Sequence, residues 1–278
     1  AVTRVDSIGI DLRNAYDPEG TKAVAMEYLT PDDVAAYERD GSVIVKDVFN
    51  EAEIAAMIGA VEEGNRVADT TRDRDDGDGR ITRLAIWHEL GDDIWSAVST
   101  SPRIVNNVRI LLAEETAFFH GKVIFKEAGT GGAWQWHQDY GYWYNQGFAF
   151  PRMISAFVAL DEATKENGCL QVLRGSHQLG RLDHGKIGDQ TGTDTDRISA
   201  AEKLFERQYC EMSPGSVLFF HCNLLHTSDK NTSAKDRRAF IICYNALGNP
   251  QLGNRKTSES RPCPVSADSA ILNQLSVA

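Results

Sequence analysis

The most restrictive feature of this sequence is a succession of short apolar runs between residues 116 and 245, separated by glycine, proline and polar turn residues. Short strands spaced by such turns are typical of all-β sandwiches and barrels. Residues before this region show helical patterns instead. We therefore predict a mainly β fold with flanking helices, a double-sheet jelly roll with helices packed outside it. The predicted strands are residues 118–126, 153–160, 169–173, 216–220 and 238–245.

Helix signals dominate the first part of the chain. Thr30 followed by Pro31 predicts a helix start, and Gly41 predicts its end. We predict a second helix from Asn50 to about Asn65, two helical segments over 92–112 divided at Pro102, and strands over 42–46 and 81–87. The charged stretch 70–80 is predicted to be a mobile surface loop, a possible lid. We expect a single domain over 1–278, with a core at 29–247, an extended arm at 1–28 and a loosely docked polar tail at 248–278.

The stretch from Trp134 to Tyr140 contains the pair His137 and Asp139. On a β-strand, side chains two residues apart leave the same face, so these two could bind one metal ion together. His226 is the candidate third ligand, and His221 is the alternative if His226 points away. Two histidines and one carboxylate with open positions are the ligand set of non-haem Fe(II) oxygenases. A surface His beside an acid is the alternative interpretation of the pair. If a site exists, we expect it at the mouth of the barrel.

Aromatic residues surround the His137 pair and could line a pocket for an apolar or cationic substrate. Tyr140 and Trp143 are the best pocket candidates, whereas core packing on alternating strand faces is the alternative for the whole group. The aromatic residues concerned are Trp134, Trp136, Tyr140, Tyr142, Trp143 and Tyr144.

Composition narrows the class of partner and compartment. The net charge of −11 disfavours a nucleic-acid backbone or an anionic membrane surface as the main partner. The five cysteines are odd in number and include no Cys-x-x-Cys pair, which favours reduced thiols. No signal pattern or membrane-length apolar run is present in the sequence, so we expect a cytoplasmic protein. A site at the mouth of a barrel would suit a small-molecule substrate. The sequence does not indicate an oligomeric state.

Several blocks occur together in a fixed order. They are Leu29 to Phe49, His137-Gln138-Asp139, Glu166-Asn167-Gly168-Cys169-Leu170, Gly175-Ser176-His177, Pro214-Gly215-Ser216-Val217-Leu218-Phe219, His226 and Arg237. With these blocks the chain resembles the phytanoyl-CoA dioxygenase-like (PhyH) family of Fe(II)/2-oxoglutarate oxygenases over about residues 29–247. The fold of that family is a double-stranded β-helix of the jelly-roll, cupin-like type.

The resemblance also implies roles for individual residues. His137, Asp139 and His226 would bind Fe(II), and Arg237 would bind the distal carboxylate of 2-oxoglutarate with support from Ser228. A planar guanidinium suits this task because it forms two parallel hydrogen bonds with a carboxylate. Arg238 should point to the opposite face. His120 and Lys122 lie on one face of the predicted strand 118–126 and are candidates for further cosubstrate contacts, with solvated strand positions as the alternative.

The implied activity is oxidation, in the first place hydroxylation, of an unactivated C–H bond by Fe(II), 2-oxoglutarate and O2, with succinate and CO2 as coproducts. Desaturation, ring formation or epoxidation in secondary metabolism are alternative outcomes of the same chemistry. A non-catalytic, cupin-like binding protein is the alternative from another class. Related halogenases have a small residue in place of the ligand carboxylate, so Asp139 argues against halogenation. The substrate itself is not indicated.

Overall fold

The structure is a computed structural model that describes residues 29–187, 189–253 and 261–274. The predicted arm at 1–28 lies outside the described residues. Within these ranges, no helix is long and apolar enough to cross a membrane.

Helices and the first strands fill the part of the chain before residue 113. Thr30 caps the first helix, because its hydroxyl accepts a hydrogen bond from the Asp33 N–H while the Asp33 carboxylate accepts one from the Thr30 N–H. Gly41 ends that helix in the left-handed conformation, at φ 79°, as predicted. The elements are α1 (Pro31–Asp40), β1 (Ser42–Val45), α2 (Glu51–Glu63), α3 (Asn65–Thr70), β2 (Thr71–Asp75), β3 (Ile81–Trp87), α4 (Ile94–Ser99) and α5 (Pro102–Leu112).

Strands dominate the rest of the chain. They are β4 (Thr116–Lys126), β5 (Trp134–His137), β6 (Met153–Ala159), β7 (Leu170–Leu173), β8 (His184–Ile187), β9 (Gln190–Thr193), β10 (Arg207–Cys210), β11 (Val217–His221), β12 (His226–Ser228) and β13 (Arg237–Ala246). The helices among them are α6 (Asp139–Asn145), a 3₁₀ turn (Ser176–Gln178), α7 (Thr195–Leu204) and α8 (Ala270–Asn273).

Two antiparallel sheets form the body of the fold. The larger has seven strands in the order β1-β11-β6-β13-β4-β3-β2, and the smaller has four in the order β10-β7-β12-β5. The hairpin of β8 and β9 lies against β5. This double sheet with helices outside it agrees with the predicted jelly roll.

The two faces of the large sheet pack in two different hydrophobic cores, so alternating residues of a strand belong to different cores. In β6, Ala156 and Val158 pack with α1 to α5, whereas Phe157 and Ala159 pack between the two sheets. A strand that is buried on both faces shows a continuous apolar sequence, which is why β6 contains almost no polar residue. The side chains between the two sheets therefore form a separate layer, the inner core. The candidate site lies on the inner-core side of the large sheet.

Three predictions about elements are wrong. Residues 71–75 form β2, paired with β3, and not a mobile loop. Strict alternation along the predicted strand 118–126 would place Phe119 on the face of Val123 and Phe125. Instead it packs between the two sheets, because the register of β4 shifts opposite the Cys243–Tyr244 step. The described part of the tail is docked and not loose: the Cys263 N–H donates to the Thr116 carbonyl at 2.7 Å, and Ile271 is buried.

Candidate metal centre

Two of the predicted ligands are cross-strand neighbours. In the antiparallel pairing of β5 with β12, His137 lies directly opposite His226, and their ring centroids are 4.0 Å apart. Directly opposite residues in such a pair project from the same face of the sheet. The fold thus joins two imidazoles that are far apart in the sequence.

Asp139 lies next to these two histidines, but it is not on the strand where the sequence predicted it. The strand ends at His137, and Asp139 is the first residue of α6, so the two residues do not lie on one strand. Gln138 between them keeps an extended backbone, with φ −110° and ψ 132°. Because the link is extended, His137 and Asp139 still project to the same side although a helix begins between them.

The three side chains form a compact, buried group. One potential ligand atom from each of His137, Asp139 and His226 lies within 4.8 Å of the others. Asp139 Oδ1 is 3.7 Å from His137 Nε2 and 3.9 Å from His226 Nε2. Spacings of this size are slightly wider than three atoms that each lie about 2.0–2.2 Å from one cation would show, so small side-chain shifts would let all three contact it. The donor set, two nitrogens and one carboxylate oxygen, fits Fe(II).

Hydrogen bonds determine which nitrogen of each histidine is free. His137 Nδ1 lies 2.7 Å from the Gln135 carbonyl oxygen, and His226 Nδ1 lies 2.9 Å from that of Leu224. A carbonyl oxygen only accepts, so each Nδ1 carries the proton and each Nε2 offers a lone pair. Burial lowers the pKa of both imidazoles, and for His137 the neighbouring His226 lowers it further. Both rings are therefore neutral at pH 7, the form that binds metal.

Asp139 is held in the charged form despite its burial. Burial by itself would raise its pKa, but the charge of Lys122, the neighbouring His226 and a hydrogen bond from Ser155 lower it overall. Lys122 Nζ is 3.9 Å from Asp139 Oδ1, and the Ser155 hydroxyl donates to Oδ2 at 2.9 Å. Burial by itself would lower the pKa of Lys122, but Asp139 and Cys243 together raise it above its usual value. The structure thus presents an ionised carboxylate beside two neutral imidazoles.

The three residues line a cavity of about 350 Å³. Its wall also contains most of the other residues that the sequence singled out. They are His120, Lys122, Trp143, Ser228 and Arg237. Whether they bind cosubstrate or substrate stays a prediction.

Arg237 is a buried cation, and no acidic side chain among the described residues forms an ion pair with it. Its guanidinium donates to the Gly168 carbonyl at 2.6 Å, while its Nε has no hydrogen-bond partner in the described structure. Arg237 also lies opposite Lys126 in the pairing of β13 with β4, and Lys126 is itself buried. An unpaired buried charge is costly, so this end of the cavity is suited to an anion. The distal carboxylate of 2-oxoglutarate meets that requirement.

The position of Gly168 explains why the block Glu166-Asn167-Gly168-Cys169-Leu170 contains a glycine. Its φ of 76° is in the left-handed region, and a Cβ at this position would overlap the Asp229 carbonyl oxygen. Asn167, also buried, holds the turn through its side-chain amide, which accepts from the Thr164 N–H and donates to the Glu162 carbonyl. The turn therefore aims the Gly168 carbonyl at Arg237, and only glycine fits there.

Two predicted residues lie elsewhere. Tyr140 does not line the cavity, and its hydroxyl donates to the Phe148 carbonyl at 3.1 Å. Its neighbour Tyr142 takes that place, because the aromatic run forms a helix and not a strand. His221 is not in the wall either; its ring lies 5.4 Å from that of His177. Arg238 points away from the cavity, as predicted, and pairs with Asp161 at 2.8 Å.

Several residues of the site were missed by sequence analysis. Ser155 is the single hydroxyl residue in the apolar strand β6, and that isolation was a usable signal. His184 Nε2 accepts a hydrogen bond from the Gln138 N–H at 2.9 Å and so supports the link between the ligands. Lys126 and Arg74 line the cavity. No pattern in the sequence marked His184 or Arg74, because both come from segments read as loops.

Comparison with known proteins gives consistent results. The sequence model of the family described as phytanoyl-CoA dioxygenase (PhyH) matches residues 37–239. The chain is 28% identical over 245 residues to an ectoine dioxygenase of Bordetella bronchiseptica, a match that covers 80% of this chain and 77% of that protein. It is 26% identical over 230 residues to the L-proline trans-4-hydroxylase of Streptomyces griseoviridis, covering 77% and 85%.

Solved structures share the fold. The crystal structure of EctD from S. alaskensis with 2-oxoglutarate and 5-hydroxyectoine has a TM-score of 0.69 and 24% identity, covering 84% of this chain and 82% of that chain. The 2-oxoglutarate-dependent carbocyclase SnoK from nogalamycin biosynthesis has a TM-score of 0.66 and 19% identity, covering 87% and 95%. These likenesses confirm the predicted jelly-roll fold.

Proposed function

The chain belongs to the phytanoyl-CoA dioxygenase (PhyH) family of Fe(II)/2-oxoglutarate-dependent oxygenases, and we propose that His137, Asp139 and His226 bind its iron while it hydroxylates a small molecule. The observation that carries this assignment is the buried group of two neutral imidazoles and one ionised carboxylate, with ligand atoms within 4.8 Å of one another. When bound, Fe(II) with 2-oxoglutarate and O2 supplies the oxidant that removes hydrogen from an unactivated C–H bond, with succinate and CO2 as coproducts.

The residues around the ligands would keep them in the binding state. The carbonyl oxygens of Gln135 and Leu224 fix the rings with Nε2 free. Ser155 and Lys122 hold the Asp139 carboxylate ionised and oriented. Partners of this kind usually change metal affinity or activity by about 10- to 100-fold when they are removed.

Arg237 would bind the distal carboxylate of 2-oxoglutarate. Its unpartnered Nε and its position in the same cavity as the three ligands support this role. Ser228 lines the cavity one residue after Thr227 on β12, and its hydroxyl would add a hydrogen bond to the cosubstrate. Lys122 and His120 remain candidates for contacts near the metal-binding end, since both side chains face the cavity from β4.

Hydroxylation is the preferred outcome because two relatives are named for hydroxylating or oxygenating compact small molecules, L-proline and ectoine. Asp139 occupies the ligand position, so halide binding in its place is disfavoured. Family membership also sets aside the alternative of a non-catalytic binding protein. All five cysteines are buried and free, which supports the proposal that the enzyme works in a reducing, cytoplasm-like compartment.

The test is an anaerobic titration of the protein with Fe(II) and 2-oxoglutarate, followed by exposure to O2. We expect a visible charge-transfer band on addition of 2-oxoglutarate and stoichiometric succinate after O2 is admitted. His177→Gln is a suitable control because His177 is half-buried and outside the cavity wall. If the wild-type protein gives neither band nor succinate, the proposed function is wrong.

A further inference from the structure

The cavity wall has a marked excess of positive charge. Among the described residues that line it, four are lysines or arginines and only Asp139 is acidic, although burial and the neighbouring Arg237 lower the pKa of Lys126. The cations are Arg74, Lys122, Lys126 and Arg237. Iron and 2-oxoglutarate would bring equal and opposite formal charges, so their binding does not remove the excess.

Three of the four cations already have a partner in the proposed function. Lys122 faces the Asp139 carboxylate, 3.9 Å from it. Lys126 donates to the backbone carbonyl oxygens of Ser228 and Asp229. Arg237 is assigned to 2-oxoglutarate. Arg74 is the cation that remains.

Arg74 is half-buried on β2, the strand at the edge of the large sheet. Its side chain lies on the same face as those of Leu84 and Ile86 of β3, and all three line the cavity. No acidic group or hydrogen-bond acceptor pairs with it among the described residues. Arg72 lies on the same strand and the same face, but it is exposed, outside the cavity wall, and donates to the Thr71 carbonyl.

We propose that the primary substrate is a small carboxylic acid whose carboxylate is bound by Arg74. This inference rests on the proposed function, because it assigns Arg237 to 2-oxoglutarate. A guanidinium without a partner, in a partly desolvated wall, binds a carboxylate through two parallel hydrogen bonds. The aromatic residues Trp134, Tyr142 and Trp143 of the wall then pack against the carbon skeleton of the acid. A cationic substrate, which the aromatic run had allowed, is disfavoured by the surrounding positive charge.

A second polar group in the cavity wall narrows the class of carboxylic acid that could be the substrate. Gln146 lines the cavity, and its buried Oε1 has no donor partner in the described structure. A buried acceptor without a donor is costly, so a ligand that donates a hydrogen bond is favoured there. The acid therefore also carries an amino or hydroxyl group. Amino acids and hydroxy acids small enough to share about 350 Å³ with 2-oxoglutarate have these features.

The test measures binding and not turnover. The protein is loaded anaerobically with Fe(II) and saturating 2-oxoglutarate, so that Arg237 is occupied. L-Proline, L-valine and 2-hydroxypentanoate are then titrated, each beside its carboxamide, which lacks the negative charge. The readouts are the heat of binding and the change in the visible charge-transfer band. The variants are Arg74→Gln, Arg74→Lys and the matched control Arg72→Gln.

We expect at least one of the three acids to bind the wild-type complex, and its carboxamide to bind more than tenfold more weakly. Arg74→Gln should weaken binding of that acid about 10- to 100-fold, Arg74→Lys should restore part of it, and Arg72→Gln should leave it unchanged. The proposal is overturned if no acid binds, if acid and carboxamide bind equally, or if Arg74→Gln has no effect. An intact charge-transfer band in those cases shows that the proposed function stands while this inference fails, whereas a wild-type protein without the band fails both.

Discussion

The three candidate ligands can bind one cation only if each histidine has an unprotonated ring nitrogen that faces it. Each Nδ1 faces a backbone carbonyl oxygen, so each Nε2 is left to bind a cation next to Asp139. Burial by itself would raise the pKa of Asp139, but Lys122 and Ser155 are among the neighbours that lower it, so the carboxylate is ionised. The site is thus built from groups whose charge states are set by their immediate neighbours.

Removal of one of the three ligands should greatly weaken the binding of Fe(II). Asp139→Ala and His226→Gln are each expected to lower the affinity for Fe(II) by more than about 100-fold, beyond the effect typical of outer partners. Anaerobic calorimetry with Fe(II), and succinate release after O2 is admitted, measure this. His177→Gln should behave like the wild type in both assays. Wild-type levels of coupled turnover in Asp139→Ala would refute the ligand assignment.

Substitutions of the adjacent Arg237 and Arg238 should differ in their effect on the affinity for 2-oxoglutarate. Arg237→Gln is expected to raise the dissociation constant for 2-oxoglutarate about 10- to 100-fold, because the buried cation supplies a charge-assisted pair of hydrogen bonds. The charge-transfer titration measures that constant. Arg238→Lys is the matched control, since Arg238 pairs with Asp161 and Glu62 outside the cavity and should affect stability alone. Equal effects of the two variants on cosubstrate affinity would contradict the assignment of Arg237.

Among the elements, the hairpin of β2 and β3 is the one that the sequence misrepresented most. Its charged turn is ordered around the buried Asp76 carboxylate, which accepts hydrogen bonds from the N–H groups of Asp78, Arg80 and Ala133 at 2.9–3.0 Å. The acids of this segment, which suggested a mobile loop, include one that holds the turn in place. The same hairpin carries Arg74 to the cavity.

Asp76→Ala should therefore loosen the hairpin. We expect a loss of about 1–3 kcal/mol in the free energy of unfolding, because three N–H groups, of Asp78, Arg80 and Ala133, lose their buried acceptor. Denaturant unfolding monitored by circular dichroism measures it. Asp73→Ala is the control, since Asp73 is exposed on the same hairpin. A loss no larger than that of the control would contradict this role of Asp76.

The same carboxylate predicts a dependence of stability on pH. Burial would raise the pKa of Asp76, but the backbone hydrogen bonds outweigh it and the pKa in the folded protein is lowered. Its contribution is thus complete above the pKa of the unfolded chain, about 3.9, and is lost as the pH falls through the lower folded value. Between pH 5 and pH 3, the wild type should lose more stability than Asp76→Ala, as measured by unfolding at each pH. Parallel losses would contradict the prediction.

For the molecule as a whole, the candidate centre joins segments that are distant in the chain. β5 and α6 supply two ligands and β12 the third, while β13 supplies Arg237 to the same cavity. Bound ligand should therefore stabilise the fold, because the unfolded chain cannot bring these groups together. At 100 times the dissociation constant, the gain is about 2.7 kcal/mol.

We expect anaerobic addition of Fe(II) and 2-oxoglutarate to raise the thermal midpoint of the wild-type protein, and a chelator to reverse the rise. His226→Gln should show no such rise, while its midpoint without ligand stays measurable for comparison. Differential scanning calorimetry gives both values. An equal rise in wild type and variant would mean that the ligands bind elsewhere.

The sequence by itself determined what depends on neighbouring residues. Thr30, Asn50 and Gly41 mark helix ends through local hydrogen bonds and backbone conformation, and these predictions are confirmed. The apolar strands and the double-sheet jelly roll followed from periodicity, and the family followed from blocks in order. The choice of His137, Asp139 and His226 also came from sequence, and the structure brings the three together.

Only the tertiary structure decided what depends on contacts between distant segments. A helix begins at Asp139, Phe119 turns inward at a shift in register, and Arg74 reaches the site from a strand that gave no local signal for it. Which distant strands pair, and which side chains then lie opposite one another, depends on residues far apart in the chain and not on the neighbours of each residue. Contacts between distant segments determine which residues line the cavity, so the proposed role of Arg74 could be inferred only from the tertiary structure.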